Sequence, residues 1–200
     1  GACPVHDLEL EMNMPFSARP SAPYRMDLAI TYKCNNDCAH CYNARERTFP
    51  SLSVDEWKTI LDKTWALGIP HIVFTGGEPT LMEFLPDLIA HAEENGQITG
   101  LNTNARRLAD KNYLDKLVSA GLDHVQITVE SNDAEIHDVM VGAKAHKQTI
   151  QGLKNVLESP LYVMTNTTML QDNVHTIPAT LDFLAELGVP TVGLNALIYS

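Results

Sequence analysis

No stretch of these 200 residues is long and apolar enough to span a bilayer, so nothing in the sequence suggests a membrane-spanning role. Basic charge is scarce as well. Fourteen lysines and arginines stand against 25 aspartates and glutamates, a net charge of −11. Binding a phosphate backbone rests on a basic surface, so no nucleic-acid partner is expected. Cysteine is sparse, with four residues in the chain, and no segment reads as a secretory leader. A chain this long and cysteine-poor does not depend on a disulfide framework, and a reducing, cytoplasmic setting is the expectation. Low-complexity tracts and interdomain linkers are missing too, and 200 residues suffice for one domain with a substantial core.

The few cysteines are not scattered. Cys34, Cys38 and Cys41 are spaced C-x3-C-x2-C within Cys34-Asn35-Asn36-Asp37-Cys38-Ala39-His40-Cys41. A loop this short can turn three sulfurs toward one inorganic centre. Zinc usually takes four ligands in structural sites, and His40 is the nearest candidate for the fourth, though awkwardly placed between two of the cysteines. An iron–sulfur cluster on three thiolates would keep one iron without a protein ligand, open to a small molecule. Spacing alone leaves both readings open. Cys3, with His6 nearby, reads as a leftover thiol near a terminus.

Around this loop the chain alternates. Residues 1–25 carry four prolines and read as an extended lead-in, and residues 26–200 read as one domain. Met26–Thr31 is a strand that delivers the chain into the cysteine loop. Ser53-Val54-Asp55-Glu56 is a capping box, followed by Trp57, Ile60, Leu61 and Trp65 at helical spacing. One plan then appears three times: a helix ending at Gly68, Gly121 or Gly188, a short turn, and an apolar strand closing in a polar residue. Further strands are expected at Ile98–Thr103 and Leu161–Thr168, with helical patterns between them. Six strands and five helices in alternation imply parallel strands joined by helical crossovers. Periodicity does not separate an open doubly wound sheet from a barrel. In either, sites gather at the carboxyl ends of the strands. Those ends are polar one after another: the cysteine loop, Thr75 to Glu78, Asn102 to Asn104, Thr128 to Ser131, Asn166 to Thr168, and Asn195. Six polar ends around one rim suit a polar ligand lying across the mouth. Two glycines at Gly76-Gly77 permit close backbone approach, Pro79 stiffens the exit, and Glu78 offers a carboxylate to an ammonium group. His71 and His124 fall at strand starts on the opposite rim and read as structural.

C-x3-C-x2-C followed by Tyr42, and then by Thr75-Gly76-Gly77-Glu78-Pro79, resembles the radical S-adenosylmethionine (radical SAM) enzymes. The resemblance runs from about Met26 to Ser200 and is nearest in style to the SPASM-type members that mature peptides or tetrapyrroles, which also carry a segment like Asp133 to Gly142. It implies a partial TIM barrel, (β/α)6, with helices outside. It implies a [4Fe–4S] cluster on Cys34, Cys38 and Cys41, with the amine and carboxylate of S-adenosyl-L-methionine chelating the open iron. It places Gly76, Gly77, Glu78 and Pro79 against the cofactor's amino group and His40 near its adenine, beside Tyr42. Histidine at position 40 departs from the commoner tyrosine or phenylalanine. Thr103 and Asn104 match a Thr-Asn pair common at the third strand. Ribose and carboxylate contacts fall on Thr128, Glu130 and Ser131, where many relatives have serine and aspartate, and Asn166 and Asn195 extend the set. The implied reaction is one-electron cleavage of the sulfonium to a 5′-deoxyadenosyl radical that takes hydrogen from a peptide or tetrapyrrole-type substrate. A flavodoxin or ferredoxin would supply the electron. A cyclase resembling early molybdopterin synthesis is the alternative among enzymes, although the second cysteine cluster usual there is missing from this sequence. A non-catalytic zinc or iron–sulfur module is the alternative outside them. The sequence reaches Tyr199-Ser200 directly after the sixth strand, so a C-terminal extension or a partner is expected to cap that edge.

Overall fold

A computed structural model describes residues 22–43 and 50–196. Cys3, His6, most of the 1–25 lead-in and Tyr199-Ser200 lie outside them. The described chain runs β1 (Arg25–Thr31), α1 (Val54–Ala66), β2 (His71–Gly76), α2 (Leu85–Asn95), β3 (Ile98–Thr103), α3 (Lys111–Ser119), β4 (His124–Thr128), α4 (Ala134–Val141), α5 (His146–Leu157), β5 (Tyr162–Met169), α6 (Ile177–Glu186) and β6 (Val192–Ala196).

All six strands are parallel and lie in the order β1-β2-β3-β4-β5-β6. This order decides what periodicity leaves open. A doubly wound sheet reverses direction at a switch point, whereas strands added always on the same side curl toward a barrel. The molecule is thus the (β/α)6 partial barrel. Ile72, Val73 and Phe74 in β2 are all fully buried, as covering of both strand faces requires. Leu61 of α1, Leu88 and Ile89 of α2, and Leu114 and Leu117 of α3 close over the sheet as one core. Truncating any of these leucines to alanine would open a cavity costing ~2–5 kcal/mol. No helix among the described residues is long and apolar enough to cross a membrane.

Local chemistry accounts for the element ends. The capping box is present: the Glu56 amide donates to Ser53 Oγ at 3.3 Å, and the Ser53 amide donates to Glu56 Oε2 at 2.8 Å. At the three repeated junctions Gly68, Gly121 and Gly188 have φ of +83°, +98° and +84°, the left-handed turn that ends each helix before its strand. Boundaries differ by a residue. β1 starts at Arg25 rather than Met26, and β5 covers Tyr162–Met169 rather than Leu161–Thr168. A larger correction is a sixth helix. α4 fits between β4 and α5, where the sequence suggested a single helix. It has eight residues, too few for a helical period to register. Asp133 Oδ1 caps it by accepting from the Glu135 and Ile136 amides at 2.8 and 3.2 Å.

At the amino-terminal rim His71 and His124 meet, with Nε2 atoms 2.7 Å apart and rings edge to face. One ring donates and the other accepts, so an added proton finds no acceptor. Burial, together with the His71 and Arg25 charges, pushes His124 down to about 4. An unfolded histidine titrates near ~6.5, so between that value and about 4 the unfolded chain binds the proton and the folded chain does not. The contribution is constant above that window and lost progressively as pH falls through it, by at most ~3 kcal/mol. Urea midpoints are expected to drop from pH 7 to pH 4.5, and His124→Asn is expected to flatten that drop. An equally steep drop in the variant would place the titration elsewhere.

Candidate active site

The strand ends surround a cavity of about 560 Å³. Cys34, Cys38 and Cys41 all line it, and all three are free thiols. The loop that carries them is pinned from three sides. Gly76 and Gly77 at the end of β2 lie directly against it: the Gly77 amide donates to Thr31 O at 2.7 Å and the Glu78 amide to Lys33 O at 2.8 Å. A Cβ on Gly76 would stand 2.1 Å from Thr31 O, and one on Gly77 would stand 2.3 Å from Lys33 O. That contact is what the two glycines are for. On a second side, the Asp37 amide donates to Val141 O at 2.9 Å, where α4 ends in Gly142 at φ +63°. A Cβ there would strike Asp37 O at 2.3 Å. On the third side, Arg106 Nη1 donates to Asn35 O and to Asn36 Oδ1, the latter at 2.9 Å, and Asn104 Nδ2 donates to Asn35 Oδ1 at 2.6 Å. Ala105, between these two gripping residues, has φ 59°, a left-handed conformation that alanine adopts at a cost of ~1–2 kcal/mol.

Two buried carboxylates brace the walls. Glu78 is 1% exposed. Its Oε1 accepts from the Thr80 amide, Thr80 Oγ1 and Thr103 Oγ1 at 3.0, 2.6 and 2.7 Å, and its Oε2 accepts from the Asn104 amide at 2.8 Å. Burial raises its pKa, opposed by those hydrogen bonds. Glu78 lines the cavity, and both of its oxygens already accept hydrogen bonds from the protein. It ties the exit of β2 to the exit of β3, because the neighbouring hydroxyls and amides already surround it. Glu130 is fully buried beyond the end of β4. Its Oε1 meets His40 Nε2 at 2.9 Å, and its Oε2 accepts from the Thr168 amide at 2.8 Å. One residue of the cysteine loop is thereby joined to β4 and β5.

Most of the other expected residues also face the cavity: Tyr42, Thr103, Asn104, Thr128, Asn166 and Asn195. Asn195 Nδ2 donates to Asn166 Oδ1 at 2.6 Å. Two expected residues do not line it. Pro79 is buried as the first residue of a short 3-10 turn, Pro79–Leu81, with Glu78 as its N-cap. Ser131 is buried beyond the strand end, bonding Thr176 Oγ1 at 3.0 Å and accepting from the Asp133 amide at 3.0 Å. The chain has already turned toward α4 at that point, which carries this side chain away from the cavity. Several lining residues went unnoticed in the sequence. Gln126 sits mid-strand in β4, and Asn43 Nδ2 donates to Gly76 O at 2.6 Å. Alternation along β4 places Gln126 on the same face as Thr128, and that was the available signal.

The donor set suits an inorganic cationic centre. The Cys41 amide donates to Cys38 O at 3.2 Å in a tight turn, and the Asn36 amide approaches Cys34 Sγ at 3.4 Å. Burial, then the charges of Cys41, Cys34 and Glu130, pushes the Cys38 thiol up to about 12, so a thiolate at Cys38 calls for positive charge beside it. His40 turns its Nε2 to Glu130 and not toward the sulfurs, which counts against it as a fourth zinc ligand. Among the described residues no three His, Cys, Asp or Glu side chains are grouped to hold a single metal ion. Three thiols on one face of a wide cavity match a cluster better.

The family profile described as "Radical SAM superfamily" matches residues 28–195. An Fe-coproporphyrin III synthase from Methanosarcina barkeri is 35% identical over 174 residues, covering 86% of this chain and 43% of that protein. A PqqA peptide cyclase from Bradyrhizobium diazoefficiens is 33% identical over 168 residues, covering 82% of this chain and 44% of that one. Streptococcus suis SuiB, solved with its precursor peptide SuiA, shares the fold at a TM-score of 0.79 and 20% identity, over 89% of this chain and 40% of the other. The chain thus spans less than half the length of these relatives.

Glu78→Gln tests the brace. It sets an N–H donor among four groups that donate to the carboxylate. A loss of ~1–3 kcal/mol in unfolding free energy is expected without any ligand present. An unchanged denaturation midpoint would return Glu78 to a purely ligand-facing role.

Proposed function

The chain belongs to the radical SAM superfamily, and on that premise we propose that this cavity binds a [4Fe–4S] cluster on Cys34, Cys38 and Cys41 with S-adenosylmethionine beside it, for hydrogen abstraction from a peptide or tetrapyrrole-type precursor. The observation that carries the reading is the convergence of three free thiols with the Gly76-Gly77 backbone on one polar cavity. When bound, this cofactor pair supplies the difficult step, one-electron cleavage of a sulfonium to an adenosyl radical, and the protein supplies position and shielding.

Each residue has a part in that division of labour. The three thiolates hold the inorganic centre, and the thrice-pinned loop fixes where they point. Gly76 and Gly77 leave backbone bare at the cavity wall, where a polar ligand end can lie close to the main chain. Thr128, Asn104 and Asn166 offer hydroxyl and amide groups to hydroxyls and carboxylates along the rim. The barrel wall keeps water and stray hydrogen donors from a reactive species. The names of the relatives support the substrate classes, one making Fe-coproporphyrin III and the other cyclising a peptide. A flavodoxin or ferredoxin in a reducing cytoplasm is the donor that suits this chemistry. A C-terminal extension or partner covering the β6 edge would close the barrel more fully.

Anaerobic reconstitution with iron and sulfide, followed by reductant and S-adenosylmethionine, tests the proposal. Iron near four per chain and production of 5′-deoxyadenosine are expected, four being the iron count of the cluster type. Alanine at Cys34, Cys38 or Cys41 is expected to abolish both, and alanine at Cys3 neither. Full iron content in a Cys38→Ala protein would remove the ligand assignment.

A further inference from the structure

Below the rim, two carboxamides stand side by side without partners among the described residues. Asn102 of β3 and Gln126 of β4 are paired in the strand register and both line the cavity. They lie two residues before Asn104 and Thr128, some ~6–7 Å deeper along the strands. Both are half-buried, and neither side chain hydrogen-bonds to the protein among the described residues. Their counterparts higher on β5 and β6, Asn166 and Asn195, already bond each other at 2.6 Å. Parallel barrels usually fill this interior level with branched apolar side chains. Here there are instead two N–H₂ donors and two carbonyl acceptors, neutral and unsatisfied. Such groups are free to exchange water for a ligand that matches their hydrogen-bonding pattern.

The charge around them narrows what can match. Asp37, Glu78 and Glu130 line the same cavity, and among the described lining residues there is no lysine or arginine. A ligand carrying several carboxylates would meet carboxylates here. A neutral amide would meet its complement, since it brings one acceptor and one or two donors in a plane, as the paired side chains do.

Resting on the function proposed above, we propose that Asn102 and Gln126 form a subsite that reads a neutral amide of the substrate, so that the substrate is a peptide segment and not a polycarboxylate macrocycle. The amide is a peptide bond or an asparagine or glutamine side chain, and both present the same chemistry. A site built to hydrogen-bond such a group discriminates strongly against an analogue that leaves its donors unpaired.

The reconstituted, oxidised protein, uniformly labelled with nitrogen-15 and saturated with S-adenosylmethionine, provides the test. The side-chain N–H₂ signals of Asn102 and Gln126 are assigned through Asn102→Asp and Gln126→Glu. N-acetylglutamine methylamide, N-acetylglutamate methylamide, N-acetylalanine methylamide and coproporphyrin III are titrated separately. The glutamine probe is expected to shift both N–H₂ signals and to bind at least ~10-fold more tightly than coproporphyrin III. Equal binding of the alanine and glutamate probes would identify the recognised group as a peptide bond, and weaker binding of both would identify a side-chain carboxamide. Gln126→Leu is expected to lower affinity for the glutamine probe by at least ~10-fold. If its iron content shows that it has not folded, the isosteric Gln126→Glu serves in its place. The inference is overturned if coproporphyrin III binds as tightly, if the probe leaves both N–H₂ signals unmoved, or if S-adenosylmethionine itself occupies the pair and excludes every probe. Iron content and 5′-deoxyadenosine are measured on the same samples. Cofactor cleavage without amide discrimination sinks this inference alone, and amide discrimination without a cluster sinks the earlier proposal alone.

Discussion

Three thiols can face one cavity only because the loop bearing them is held against the backbone of its neighbours at van der Waals distance. That contact has no room for side chains. Gly76, Gly77 and Gly142 each leave a gap of about one methyl group, filled by the carbonyls of Thr31 at the end of β1 and of Lys33 and Asp37 in the loop. The amides of Gly77, Glu78 and Asp37 then pair across the same contact. The loop spans no regular element, so these bonds replace the ladder that a strand or helix would have given it. Arg106 and Asn104 complete the grip, and the strained Ala105 between them shows the cost of aiming both at once.

Buried carboxylates extend this anchoring into the walls. Glu78 collects four hydrogen bonds from the ends of β2 and β3, and Glu130 links His40 in the loop to Thr168 on β5. A buried charge is tolerated where its lone pairs are satisfied. With both acids braced this way, strand ends at different points of the rim move together with the thiols. His40 thus does more than pack, since its ring joins the cysteine loop to the far half of the barrel.

What the sequence makes legible is what short range encodes. Cysteine spacing, the capping box and the repeated glycine junctions need only a few neighbouring residues, and all of them stand in the structure. The parallel pairing follows from the alternation, but the sheet order does not, since doubly wound sheets share crossovers of the same hand. Contacts between distant residues are another matter. His40 and Glu130 are 90 residues apart, and nothing local to either announces the other. The bracing of Glu78 is hidden for the same reason: the motif displays its carboxylate, while Thr103 and Asn104, which bond it, arrive 25 and 26 residues later. Ser131 looked like part of a polar strand end, but β4 stops at Thr128 and the backbone turns before the serine. Helix α4 escaped because eight residues hold barely two turns, although its Gly142 end decides how the cysteine loop sits.

The site's charge follows from the same anchoring. Three thiols and two buried acids face a single cavity, and burial raises the pKa of Cys34, Cys38 and Glu78. At Cys34 and Cys38 burial and the neighbouring negative groups favour the protonated thiol. Positive charge at the upper level favours the thiolates of Cys34 and Cys38, so loading of the centre is coupled to proton release. Deeper in the barrel the demand reverses. The pair at Asn102 and Gln126 is neutral, so the level below the charged rim selects by hydrogen-bond pattern rather than by sign. One set of parallel strands thereby presents a charged rim above a neutral amide level. Which of the two a residue serves is set by how far along its strand it lies.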